Sequence, residues 1–154
     1  DRAVIRVGMA ACDLNAGRHE AAARKLEALE GESLDEPSRM YAAKLTRTVK
    51  GREALARAET LLAAGKVDET EAMLPQLFQF QYSNQERLRF DLIANHIAVA
   101  SLHTRIRKAM DRKDWSMVEI LVEQLGRETV PAALEAAHRR MLDEVASQRP
   151  KSGQ

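Results

Sequence analysis

Apolar residues along this chain recur at three- and four-residue spacing, the period of an α-helix with one buried face. Glycine, proline and capping residues cut the pattern into seven helical segments, over about 4–16, 18–30, 36–64, 66–78, 84–112, 115–125 and 129–147. In the second, Leu26 and Leu29 share a face. In the third, Met40, Leu45, Val49, Leu55, Leu61 and Leu62 mark a helix of about eight turns. Asp35 is placed to cap that helix, with Pro37 in its first turn, where a missing N–H costs nothing. No cap falls at Gly51, so the helix is expected to run through it, while Pro75 is expected to kink or end the fourth segment, because proline cannot bond back one turn. "SNQE" at 83–86 matches a capping box, Ser83 and Glu86 each satisfying the other's backbone N–H. Asp114 caps the sixth segment, and Thr129 with Pro131 opens the seventh. Residues 1–147 read as one all-α domain and 148–154 as a disordered tail.

One stretch breaks the period. In "QLFQFQYSN", residues 76–84, Phe78, Phe80 and Tyr82 alternate with glutamines as in a half-buried strand. An isolated strand would have no partner in this chain, so the segment reads instead as the end of the short fourth helix. Phe80 and Tyr82 are then either packing groups at a helix end or aromatic anchors for a partner.

Comparing the chain with itself exposes a longer period. "AGRHEAAARKLEAL", "AGKVDETEAMLPQL" and "RKDWSMVEILVEQL" align without gaps, about 48 residues apart. Gly17, Gly65 and Lys113 correspond, as do Leu26, Leu74 and Val122, then Leu29, Leu77 and Leu125. Leu14, Leu62 and Met110 precede the turns at one further shared offset. A fixed period of this size is the signature of stacked supersecondary units.

At this turn the chain resembles the tetratricopeptide repeat family. Gly17, His19, Ala22, Leu26 and Leu29 fall on that family's columns, followed by Gly65, Val67, Thr70, Leu74 and Leu77. Lys113, Trp115, Val118, Val122 and Leu125 make the third copy, and Ala10, Ala58 and Ile106 would take the small position before the turn. The resemblance covers most of the chain. It departs from the family in its period, longer by about fourteen residues, which is nearly four helical turns and so keeps the apolar stripe in phase. It departs again where Arg6, Arg57 and Arg105 or their neighbours stand at large apolar positions of the first helices. The resemblance implies a right-handed solenoid of about three hairpins, alternating short and long helices, with a last helix capping the stack.

Composition agrees with a helical protein: 31% charged residues, 45% hydrophobic, only 4% aromatic. A net charge of +1 gives no electrostatic reason to expect a nucleic-acid partner. The densest basic run, Arg105, Arg107, Lys108, Arg112 and Lys113, is interleaved with Asp111 and Asp114, as solvated faces are. One cysteine, Cys12, excludes an intrachain disulfide and a thiolate cluster and favours a reducing compartment without excluding an oxidising one. The start on Asp1 reads as a processed product or a fragment, so a periplasmic or membrane-tethered parent is also open. No apolar run approaches a membrane span.

Catalytic chemistry has no foothold. Glycines stand singly near helix ends rather than in a phosphate loop, no nucleophile elbow occurs, and Asp13 beside Cys12 opposes a reactive thiolate. Among His19, His96, His103 and His138 no pair has the three- or four-residue spacing of a helical metal site. No cofactor, metal or catalytic residue is expected. The expected function is non-enzymatic: capture of a protein or peptide in a groove formed by the first helix of each hairpin. The resemblance carries Val4, Val7, Ala11, Leu14 and Asn15, Arg52, Leu55, Glu59 and Leu62, and Ala100, His103, Arg107 and Met110 to that groove. Its polar members, Asn15, Arg52, Glu59, His103 and Arg107, with Phe80 and Tyr82, are the expected partner-binding residues. The subtype that clamps a terminal carboxylate needs Lys and Asn where Val7 and Ala11 stand, so it is not supported. RNA binding through 105–113 and self-assembly through the long-helix ends are the alternatives.

Overall fold

A computed structural model describes residues 2–151. Among these there are seven α-helices and no strand: α1 Arg2–Asn15, α2 His19–Glu27, α3 Glu36–Ala63, α4 Val67–Leu77, α5 Asn84–Asp111, α6 Trp115–Gly126 and α7 Glu135–Gln148, the last preceded by a 3₁₀ turn, Ala132–Leu134. None is long and apolar enough to cross a membrane.

Helices α3, α5 and α6 start where the sequence offers a side-chain oxygen to their first amides. Asp35 accepts from the Ser38 amide at 2.9 Å and Asp114 from the Met117 amide at 3.2 Å. At α5 the capping box closes in both directions, Glu86 N–H to the Ser83 hydroxyl and Ser83 N–H to the Glu86 carboxylate, both 3.3 Å. Proline at 131 holds extended backbone and offers no side-chain oxygen, so the last helix enters through the 3₁₀ turn. The expected break at Pro75 comes two residues later, α4 ending at Leu77. Gly51 lies inside an uninterrupted α3.

Three helix ends share one geometry. Gly17, Gly65 and Lys113 hold positive φ, at 77°, 76° and 57°. The next amide in each case, that of Arg18, Lys66 or Asp114, reaches back over the turn to the carbonyl of Asp13, Leu61 or Ala109 at 2.8 to 3.0 Å. Helices end at Asn15, Ala63 and Asp111 and restart at His19, Val67 and Trp115, each set 48 residues apart. Long-helix starts follow the same step, at Glu36, Asn84 and the turn at Ala132.

The chain divides into two compact units, Asp1–Thr60 with Pro75–Arg87, and Leu61–Leu74 with Leu88–Gln154. The core of the first is built from Ala3, Val7, Ala10, Ala11 and Leu14 of α1 against Ala22, Leu26, Leu29, Leu45 and Val49. Ala10 and Ala22 are fully buried, and side chains that small let α1 and α2 approach closely. In the second unit, Val99, Leu102, Ile106 and Met110 of α5 pack with Val118, Leu121 and Leu125 of α6 and Met141 of α7. The turn columns behave alike: Ala22, Thr70 and Val118 are buried, as are Leu29, Leu77 and Leu125, and Ala10, Ala58 and Ile106. Of the expected tail, Arg149 closes α7 through its amide and pairs with Glu119, while 152–154 lie outside the described residues.

Candidate partner-binding sites

In the first unit a polar cluster forms around Arg52. Its Nε meets the Glu86 carboxylate at 3.3 Å and its Nη1 meets His19 Nδ1 at 3.0 Å. Glu86 is buried. Burial alone would raise its pKa, but hydrogen bonds from Ser83 and the Arg52 charge outweigh that and hold it below the usual carboxylate range. Arg52 thus links the first residue of α2 to the capping box of α5.

The aromatic segment beside it is folded onto the protein. The chain leaves α4 at Leu77, and the Tyr82 hydroxyl donates to the Leu77 carbonyl at 2.7 Å. Tyr82 meets the Phe80 ring edge-on, with centroids 6.5 Å apart at 63°. Phe80 in turn lies over Gly51 so closely that a Cβ there would sit 3.1 Å from it. Phe78 is 63% exposed.

A further charged group fixes the first turn. Asp13 is buried at the end of α1, accepts from Arg18 Nε at 2.8 Å and pairs with Lys25. Hydrogen bonds from Lys25, then Arg18, hold its pKa below the usual range. Cys12 beside it is exposed.

In the second unit the groups that converge are His103 and Arg107 of α5 and His138 of α7. The two imidazoles stack, centroids 5.5 Å apart at 30°, with His103 Nε2 3.3 Å from His138 Nδ1. Burial, then the His138 and Arg107 charges, depress the His103 pKa, which favours the neutral form of that imidazole. Arg107 is exposed and makes no ion pair among the described residues. A neutral imidazole edge beside an unpaired guanidinium can receive a carboxylate or a carbonyl.

Of the expected residues, the structure groups Arg52, Phe80 and Tyr82 in one unit and His103 and Arg107 in the other. Asn15 is exposed at the end of α1, and Glu59 is half-buried on α3. Of the apolar positions carried over from the family, Val7, Ala11, Leu14, Leu55 and Met110 are buried, Leu62 and Ala100 half-buried, and Val4 exposed. His19, Glu86 and His138 were missed as members of these clusters. The Ser83–Glu86 box was legible, but its arginine partner lies 34 residues away. His138 is paired across 35 residues, which no local spacing reveals.

Shallow clefts recur at the chain's own period. One lies in the first unit over Ala23, Leu26, Val49 and Glu53. A second, in the other unit, lies over Glu71, Leu74, Ile97 and Ser101, and a third over Glu119, Val122, Val145 and Arg149. All four positions step by 48 from each cleft to the next. Among the described residues no three His, Cys, Asp or Glu side chains are gathered to hold a metal ion. Compared with protein-family models, with curated proteins and with solved structures, the chain matches none of them.

Proposed function

We propose that this chain is a tetratricopeptide-like module of three hairpins that captures a protein or peptide segment, acting as a scaffold or adaptor without chemistry of its own. What carries the reading is the 48-residue step shared by helix ends, helix starts and the three left-handed turns. Independent helices would have no reason to keep one interval. Units that bury a common face against their neighbours do, since each copy must present the same columns to the next. The binding residues in this reading are His103 and Arg107, with His138 positioning the imidazole. Arg107 is an exposed guanidinium with no internal partner to satisfy, beside a half-buried polar pair.

The test is affinity capture with the wild-type chain and with Arg107→Glu as baits. Proteins held by the wild type should be lost from the variant, while helicity and melting temperature stay the same. Capture of the same set by both baits would remove Arg107 from the site, and a variant that melts early would assign it to stability instead. RNA binding draws on Arg105, Lys108 and Arg112, which share a helix face and have no ion pair among the described residues. It requires affinity that falls steeply as salt rises.

A further inference from the structure

The first unit holds a notch whose charge is unexplained by packing. Residues 37–52 contain five basic side chains and no acidic one, in a chain whose overall charge is only +1. Two of the five are neutralised internally: Arg39 pairs with Glu36, and Arg52 with Glu86. Lys44 and Arg47 have no ion pair among the described residues, yet both face the same recess of about 280 Å³. Three residues apart on one helix, they are neighbours and repel. Thr48, Met40 and Ala43 line the recess beside them, and Gln81 closes it from the link between α4 and α5. No carboxylate is among these residues.

The same place 48 residues on is different. Leu92 stands for Lys44, Asn95 for Arg47 and Thr129 for Gln81, and the Asn95 amide donates to the Thr129 carbonyl. A neutral side chain there is tied back to its own loop. The helix and link therefore need no cations at these positions.

We propose that Lys44, Arg47 and Gln81 bind the phosphate dianion of a small phosphomonoester, whose organic part rests on Met40 and Ala43. Two fixed positive charges match a group that carries close to two negative charges at neutral pH. The donors come from two elements and several directions: a forked guanidinium, an ammonium and a primary amide. That arrangement suits three tetrahedral oxygens better than one flat carboxylate. The recess has about the size of the smallest ligand pockets, roughly 300 Å³. The site does not depend on the peptide-capture reading, since neither His103 nor Arg107 belongs to it.

The experiment is a titration of the chain with inorganic phosphate at pH 7.5 and constant ionic strength, with sodium chloride as balance, followed through backbone amide NMR. Saturable shifts confined to residues 40–48 and around Gln81 are expected. Phenyl phosphate should bind at least as tightly as inorganic phosphate, and acetate at least tenfold more weakly. The Lys44→Leu/Arg47→Asn variant, which installs the residues the chain itself carries 48 positions later, should lose saturation while its circular dichroism is unchanged. Arg47→Gln alone should weaken binding severalfold and serves if the double variant misfolds. Shifts that grow linearly without saturating, that scatter over the surface, or that acetate reproduces at equal concentration would overturn the proposal. So would undiminished binding by the variants.

Discussion

The contact between Phe80 and Gly51 makes a prediction whose sign depends on the tertiary structure. Gly51 is in the middle of α3, where replacing glycine by alanine ordinarily stabilises by about 0.8–1.0 kcal/mol. Here the new methyl group would sit 3.1 Å from both Cβ and Cγ of Phe80 and 3.3 Å from Cδ1. Phe80 cannot simply turn away, because its ring meets Tyr82 and Tyr82 is bonded to the Leu77 carbonyl. Forcing an extra carbon into such a fit costs about 1–3 kcal/mol, so the steric term is the larger. Gly51→Ala should therefore lower stability by about 1 kcal/mol, a fall of a few degrees in melting temperature. In a Phe80→Ala background the obstacle is gone, and the same Gly51→Ala change should stabilise by about 1 kcal/mol through helix propensity alone. Urea unfolding of the four proteins gives the coupling energy directly, expected near 2 kcal/mol. If Gly51→Ala stabilises both backgrounds equally, Phe80 is not packed against the helix. It would then be free for a partner, as the sequence alone allowed.

Three further predictions follow from the clusters and turns. His103 has a depressed pKa in the fold, so its contribution is full above the unfolded value of about 6.5 and is lost as pH falls through the folded one. The urea midpoint should drop between pH 7.5 and 5.5, and His103→Leu should shrink that drop, leaving a remainder from His96, which burial also depresses. An unchanged drop would clear the imidazole pair of any part in it. Asp13 is likewise depressed, and its stabilisation is present above about pH 3.9 and lost in acid. Asp13→Asn should therefore lower the melting temperature at pH 7 and have little effect near pH 2, and an equal loss at both would point to packing rather than charge. At the turns, Gly65→Ala should cost about 1–2 kcal/mol and Lys113→Gly should gain up to about 1 kcal/mol, because both positions hold positive φ. Equal and small effects at both, measured by thermal unfolding, would deny the shared turn.

The sequence by itself determined the helices and where they stop. These are local events: a side-chain oxygen three residues from an amide at Asp35, Ser83 and Asp114, a glycine where the chain must turn left-handed at Gly17 and Gly65, an apolar stripe of period 3.6. The 48-residue step was also legible, since identical turns need similar residues at one interval. Only the tertiary structure decided which polar groups meet. Arg52 finds Glu86, His103 finds His138 and Phe80 finds Gly51 across 29 to 35 residues, distances over which no periodic signal survives. Nor could the pattern separate buried from exposed members of one helix face, and Val7, Ala11 and Leu55 proved to be core where a groove was expected. A hydrophobic stripe specifies that a face will be covered. What covers it is set by how the helices come together.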